Sequence, residues 1–232
     1  MDTIYVLFIL TALIGMIAII VIVTVYAVYA SNKKIIAPLE RQALKRNGTL
    51  DTRAKLNESA LQSPISKYAE YKKCPQLTFK YKGFIIKISL RTTLYRYRTM
   101  IAPDWQITKI DAFYNFKTPL NLKIIQRKAI VNFKRLYFTS SEKVDDNNII
   151  LGNEQFDGEF VVIGDNEQFA KDFITKMIQD KLLKSKSMWL GIIFDKDKFS
   201  IKMPRFTTSD KIYDELIDIT FMFYDRLEEL KL

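Results

Sequence analysis

The sequence predicts an α+β protein, with an amino-terminal transmembrane helix followed by a largely antiparallel sheet carrying two or three packed helices. Three observations carry this prediction. Residues 4–30 are almost wholly apolar, and no charged side chain occurs between Thr3 and Asn32. Beyond residue 75, short segments alternate apolar and polar residues and are divided by turn signals. From Ser209 onward, Ile212, Leu216, Ile219, Phe223, Leu227 and Leu230 recur at steps of three and four, the apolar stripe of one helix.

As a helix, Ile4 to Ala30 extends roughly 40 Å at ~1.5 Å per residue, more than a ~30 Å hydrocarbon layer. Tyr5, Tyr26 and Tyr29 stand near its ends, where interfacial aromatics are favoured. A cleaved secretory signal is one rival, with Val28-Tyr29-Ala30 as its processing site. Against it, the start "MDTIY" is acidic and lacks Lys or Arg, and the run exceeds the ~7–15 residues of a signal core. A buried core helix is the other rival, but such a helix shows a polar face and this one has none. The retained anchor is favoured. Lys33, Lys34, Arg41, Lys45 and Arg46 come after the run and no Lys or Arg precedes it. The positive-inside bias therefore predicts a single-pass cell-membrane protein, amino terminus outside and carboxyl-terminal domain cytoplasmic. On that side the sequons Asn47-Gly48-Thr49 and Asn57-Glu58-Ser59 carry no glycan.

Residues 31–75 read as a juxtamembrane stalk: "APLERQALKR" favours a short helix, Asn47-Gly48 punctuates it, and Pro64 breaks the polar segment between residues 50 and 73. Residues 76–232 read as the soluble α+β domain. The segment "LTFKYKGFIIKISL" predicts a hairpin turning at Lys82-Gly83. A two-residue turn sets Tyr81 opposite Phe84, Phe79 opposite Ile86 and Leu77 opposite Ile88, all on one side, with Thr78, Lys80 and Lys87 on the other. Further strands are expected at "TLYRYRTMI", "WQITKIDAFYNF" and "LNLKIIQ", and a short basic helix at "KAIVNFKRLYF".

An acidic loop, "EKVDDNN", opens the distal half, and two subdomains dividing near 140–155 are one organisation open to the chain. "EFVVIG" reads as a strand. Asp165 is expected to cap a helix with Gln168 at its third position, one side lined by Phe169, Phe173, Met177 and Ile178. "WLGIIF" and "FSIKM" read as a hairpin around Asp195 to Lys198. The closing helix is expected to dock on the sheet, pairing with another subunit being its alternative.

At "FDGEFVVIGDNEQFAKDF", the residues Phe156-Asp157, Phe160, Val162 and Gly164-Asp165-Asn166, with a helix after them, resemble a recurring segment of prokaryotic membrane-anchored domains of unknown function. About a third of the chain is covered. The resemblance implies a prokaryotic, archaeal-type membrane protein and brings no catalytic residues with it.

Catalytic motifs are scarce. Histidine is absent from the 232 residues, so Ser-His and Cys-His pairs and the commonest metal ligand are missing. The seven glycines form no phosphate-binding loop. Cys74 is the single cysteine, which excludes an intramolecular disulfide and a zinc site. Only carboxylates remain: Asp145, Asp146, Glu154, Asp157, Glu159 and Asp165, with Asp195 and Asp197 at a turn, a set that oxygen-liganded cations or metal-dependent hydrolysis would need. The expectation is no enzyme and no cofactor.

Charge is more informative. Residues 31–135 carry 23 Lys and Arg against 6 Asp and Glu, and residues 136–232 carry 13 against 19, within a net charge of +10. The candidate contacts to an anionic surface are Lys33, Lys34, Arg41, Lys45, Arg46, Arg96, Arg98, Arg127, Lys128, Lys134 and Arg135. Lipid headgroups are the partner that tethering favours. The alternating arginines and tyrosines of "TLYRYRTMI" equally suit single-stranded nucleic acid, and the acidic half suits an unidentified protein partner. The functional expectation is a membrane-anchored binding or scaffold module with a basic membrane-proximal face. A membrane-tethered nucleic-acid binder is the alternative.

Overall fold

The computed structural model describes residues 2–54, 74–97, 100–114, 121–138, 148–195 and 197–230. Side chains are described for all of these except 2–12, 24–32, 53–54, 74, 92–97, 100–106 and 135.

Helix α1 runs from Asp2 to Lys45 without interruption, through Pro38. Its carboxyl end is part of the domain: Leu39 is fully buried, Gln42 nearly so, and Ile35 and Ala43 pack against the same core. Asn47, at φ +50°, ends the helix, and the Gly48 amide donates back to the Ala43 carbonyl at 2.8 Å. That is a left-handed cap with the six-to-one bond of a Schellman turn. A side chain at Gly48 would meet Leu77 Cδ1 and the Thr78 carbonyl, both at 2.9 Å.

The expectation of a transmembrane helix over 4–30 is corrected. Among the described residues, no helix is long and apolar enough to cross a membrane. The apolar run has described side chains at 13–23, all exposed. At ~1.5 Å per residue these cover roughly 16 Å, half of a hydrocarbon layer. The single-pass placement, with an outside amino terminus and a cytoplasmic domain, is corrected with it.

Among the described residues, eight strands, numbered in chain order and bounded below, form one sheet in the order β1-β2-β3-β4-β8-β7-β5-β6, and every neighbouring pair is antiparallel. Strand β1 (Thr49–Ala54), from the segment read as a stalk, pairs with β2 (Cys74–Tyr81); residues 55–73 lie outside the described residues. Strand β3 (Phe84–Tyr97) pairs with β2 in the register the alternation demands, Tyr81 opposite Phe84, Phe79 opposite Ile86 and Leu77 opposite Ile88. Lys82 and Gly83 both have positive φ, +47° and +89°, as the turn that matches strand twist requires.

"TLYRYRTMI" is not a strand of its own. It is the far end of a long hairpin in which β3 stops at Tyr97 and β4 (Met100–Phe113) returns. No glycine or proline lies between Phe84 and Tyr97 to end the strand earlier.

Distally come β5 (Leu122–Gln126), α2 (Arg127–Tyr137), α3 (Glu154–Glu159), β6 (Phe160–Gly164), α4 (Glu167–Phe173) and α5 (Lys176–Lys184). Strands β7 (Gly191–Phe194) and β8 (Lys198–Met203) and helix α6 (Asp210–Glu229) complete the chain. Two local expectations shift. Asn166, not Asp165, caps α4, its side chain accepting from the Phe169 amide at 2.9 Å. Asp165 instead accepts from the Asn121 amide group at 2.7 Å. The single helix expected from Phe169 to Ile178 is broken at Ile174-Thr175, two β-branched residues that favour extended backbone. Phe173 and Ile178 remain buried, while Met177 is 66% exposed.

The pairing of β4 with β8, Ile110 opposite Ile201 and Ala112 opposite Phe199, joins the basic and acidic halves in one sheet. One face of that sheet presents Leu77, Phe79, Ile86, Ile88, Ile110, Ile124, Ile192, Phe194 and Ile201 to the main core. Helix α6 closes this face with Tyr213, Leu216, Ile217, Ile219, Phe223 and Leu227. The alternate residues Ile125, Ile163 and Ile193 point the other way, to a smaller cluster under α2 with Ala129, Tyr137 and Phe138.

Candidate functional site

The expected surface residues divide into two groups on opposite faces of the sheet. At the end of α1, Arg41 pairs with Asp210 at 2.7 Å, and Lys45 and Arg46 pair with Asp214 at 2.8 and 3.3 Å. Gln42 also donates to Asp214 at 3.1 Å. Burial raises the Asp214 pKa, but Lys45, Gln42 and Arg46 outweigh it and hold the carboxyl below its usual range. The Arg46 guanidinium further lies 5.3 Å from the Phe221 ring centroid, a cation–π position. Lys82, in the β2–β3 turn, pairs with Asp225 at 2.8 Å and Glu228 at 3.1 Å. Acidic helix α6 thus takes up much of the basic flank within the molecule. Lys33 and Lys34 remain exposed on α1.

On the other face, Arg127 opens α2 and its Nε and Nη2 donate to the Asp157 carbonyl at 3.1 and 3.0 Å. Lys128 and Lys134 are exposed on the same helix. The Arg135 side chain, the Arg96 side chain and Arg98 lie outside the described residues. Of the carboxylates, Asp145 and Asp146 also lie outside them. The Asp157 side chain accepts from the amides of Leu151, Gly152 and Asn153 at 3.1, 3.0 and 3.1 Å, so its oxygens hold the turn into α3. Phe156 and Phe160 stack with centroids 4.8 Å apart. The residues that carried the resemblance therefore shape the local fold.

A third cluster went unnoticed in the sequence. On the sheet face opposite the main core, the cross-strand rows read Ser89–Lys109–Lys202–Gly191 and Lys87–Asp111–Ser200–Ile193–Lys123. Ser89, Asp111 and Ser200 are buried. Lys109 reaches Asp111 Oδ1 at 2.7 Å, and the Ser200 hydroxyl donates to the same oxygen at 2.5 Å. Lys202 Nζ donates to the Leu136 carbonyl of α2 at 2.9 Å. Lys87 and Lys198 lie over the Phe113 ring at 5.0 and 5.7 Å. Two buried donors, Ser89 Oγ and Arg91 Nε, find no hydrogen-bond partner among the described residues.

Electrostatically the layer is strained toward positive charge. Burial holds the Lys109 pKa below that of an ordinary lysine, although Asp111 opposes the effect. Burial, reinforced by Lys109, brings Lys202 down to about 8. Arg91 and Lys123 add to the repulsion on Lys202. Among the described strand residues of this face, the carboxylates are Asp111 and, on edge strand β1 opposite Gln76, Asp51. A signal was present: every second residue of "KISLR", "TKIDAF" and "FSIKM" is polar or aromatic, and the polar set is mostly basic. Such alternation ordinarily marks a solvated face.

Tyr137 covers the distal end of this face. Its ring lies where a side chain at Gly191 would be, a Cβ there coming within 2.1 Å of Cε1. Its hydroxyl donates to the Trp189 carbonyl at 3.2 Å. Trp189 holds a left-handed backbone at φ +58°, unusual for so bulky a residue, and its ring lies 5.8 Å from that of Phe133.

Taken together, the fold is a mixed α/β domain on a single antiparallel sheet, with an apolar face under α6 and a basic layer beneath the other face. The crystal structure of the mycobacterial trehalose monomycolate transport factor A, TtfA, is similar to it, with a TM-score of 0.53 at 10% identity over 84% of this chain and 93% of that chain. At that identity the likeness shows the fold alone. No family model and no curated protein matches the sequence.

Proposed function

We propose that the chain is a binding or scaffold module that receives an anionic partner, and not an enzyme. One observation carries the reading: Lys109 and Lys202 lie directly opposite each other across β4 and β8, with Asp111 as their near counter-charge. Like charges placed opposite one another in a sheet destabilise it, and burial adds a desolvation cost. Charge arrangements that cost stability concentrate at functional sites. An anion brought against this layer offsets both costs. TtfA, similar in fold, is named a transport factor, a role that a binding module serves.

The test uses the full chain. Its unfolding midpoint is measured in chloride, sulfate and phosphate, and with a single-stranded oligonucleotide, at matched ionic strength. Binding at a hundredfold excess over Kd stabilises by ~2.7 kcal/mol, which for a chain of this size raises the midpoint by about 5–10 °C. Equal midpoints in all four conditions refute the reading. A response to the oligonucleotide alone, falling steeply with salt, redirects it to nucleic acid.

A further inference from the structure

We propose that Ser89, Arg91 and Lys109 form the seat of a phosphate-type oxyanion, a free phosphate or a phosphate monoester, on the polar face of the sheet. The proposal rests on the anion-binding reading and gives it a location and a ligand class. Ser89 and Lys109 are cross-strand partners in the β3–β4 ladder, which sets their Cβ atoms about 5 Å apart. Arg91 comes two residues after Ser89 on β3 and so projects from the same face. The three residues supply a hydroxyl, a guanidinium and an ammonium, converging from two adjacent strands.

The donors are uncommitted where it matters. Ser89 Oγ and Arg91 Nε are both buried without a partner among the described residues, and a buried donor left unpaired costs about 1–3 kcal/mol. Asp111 does not relieve them. Its Oδ1 already accepts from Lys109 and from Ser200, and Lys109 keeps two further N–H donors beyond that pair. Lys202 lies beside the seat, directly opposite Lys109 across β4 and β8. The surplus of cations suits an anion of charge −2 better than a single carboxylate. A tetrahedral group also accepts from three directions at once, whereas a carboxylate accepts in one plane.

The probes are inorganic phosphate and dihexanoyl phosphatidic acid below its micelle concentration. Each is titrated into the full chain by calorimetry and tracked through the Nε–H resonances of arginine. Wild type should bind at least one probe and move one Nε–H resonance, absent from the spectrum of Arg91→Lys at that position. Arg91→Met should weaken binding at least tenfold, and Ser89→Ala, which only removes a buried hydroxyl, about three- to tenfold. Lys184→Ala, an exposed change on α5, should bind as wild type does. Preference for inorganic phosphate assigns the seat to free phosphate; preference for the phosphatidic acid assigns it to a monoester headgroup. If wild type binds phosphate and both variants bind equally tightly, the seat is overturned and the anion-binding reading survives. If wild type binds neither probe, the seat falls, and the midpoints in chloride, sulfate and phosphate decide whether that reading falls with it.

Discussion

Lys202 is held between an acceptor, the Leu136 carbonyl at 2.9 Å, and a repulsive cross-strand neighbour, Lys109. Its pKa of about 8 lies below the ~10.4 of an unfolded lysine. The unfolded chain therefore binds more protons between those values, and stability rises with pH across that window. Below pH 8 both states are protonated and the penalty is fully present. From pH 7 to 9.5 the expected gain is about 1–2 kcal/mol, read from denaturant unfolding. Lys202→Met should be more stable than wild type at pH 7 and should lose that rise; a rise that persists in the variant would belong to another group. Above pH 10 the buried tyrosines act in the opposite sense. Burial raises the pKa of Tyr137 and Tyr213, so the unfolded chain deprotonates first and stability falls. Gly191 makes a separate prediction. A Cβ there would lie 2.1 Å from the Tyr137 ring, in a corner closed by Trp189 and α2. Gly191→Ala should cost about 1–3 kcal/mol by overpacking. Adding Tyr137→Leu should recover part of it, giving a favourable coupling in a double-mutant cycle.

Between elements, the seam of α1 with α6 is where the two charged halves meet. Asp214 gathers Lys45, Arg46 and Gln42 on one oxygen. Exposed pairs contribute ~0–1 kcal/mol each, so Asp214→Ala should cost about 1–2 kcal/mol in low salt. Because its pKa is depressed, the contribution is present above the unfolded value and lost as pH falls through the folded one. The deficit of the variant should shrink both at acid pH and in 1 M salt, where the Debye length is ~3 Å; a deficit indifferent to salt would place the cost in packing. This seam shows what the sequence leaves unread. The excess of Lys and Arg before residue 135 and of Asp and Glu after it is visible by counting. That the excesses meet is not, because Arg41 and Asp210 are 169 residues apart and no local pattern links them. The β2–β3 hairpin was legible for the converse reason, since turn residues, spacing and alternation all lie within fourteen residues. The end of α1 was obscured by Pro38, which reads as a break but sits inside the helix, its turn held by burial of Leu39 and Gln42. The basic layer was visible as alternation, but whether such a face meets water or protein depends on α2, which packs over it from a separate stretch of the chain.

Across the whole molecule, the question left open by the sequence is whether the chain has one core or two. The β4–β8 ladder carries hydrogen bonds directly from the basic half to the acidic half. The side chains above it are equally shared. Helix α6 stacks Phe221 on Tyr81 of β2 at 3.7 Å, and packs Phe223 against Phe173 of α4 at 5.8 Å and Phe199 of β8 at 6.1 Å. Separating the halves would strip α6 from one of them and expose a row of aromatic side chains, each worth several kcal/mol when truncated in a core. Neither half retains a closed apolar face without the other, so the described domain should unfold as one unit. The two tryptophans allow a direct test, because Trp105 belongs to β4 and Trp189 precedes β7. In Trp189→Phe the fluorescence reports on the basic half, and in Trp105→Phe on the acidic half. Each variant is unfolded in urea and its fluorescence compared with its own far-ultraviolet circular dichroism. The two probes should coincide within each variant, since coincident transitions are the mark of a single cooperative step. Ile110→Ala, in the centre of the joining ladder, should lower both midpoints together by an amount matching about 2–5 kcal/mol. Fluorescence in one variant moving at a lower urea concentration than the circular dichroism would mean that the ladder joins two separately stable cores, and that α6 docks on only one of them.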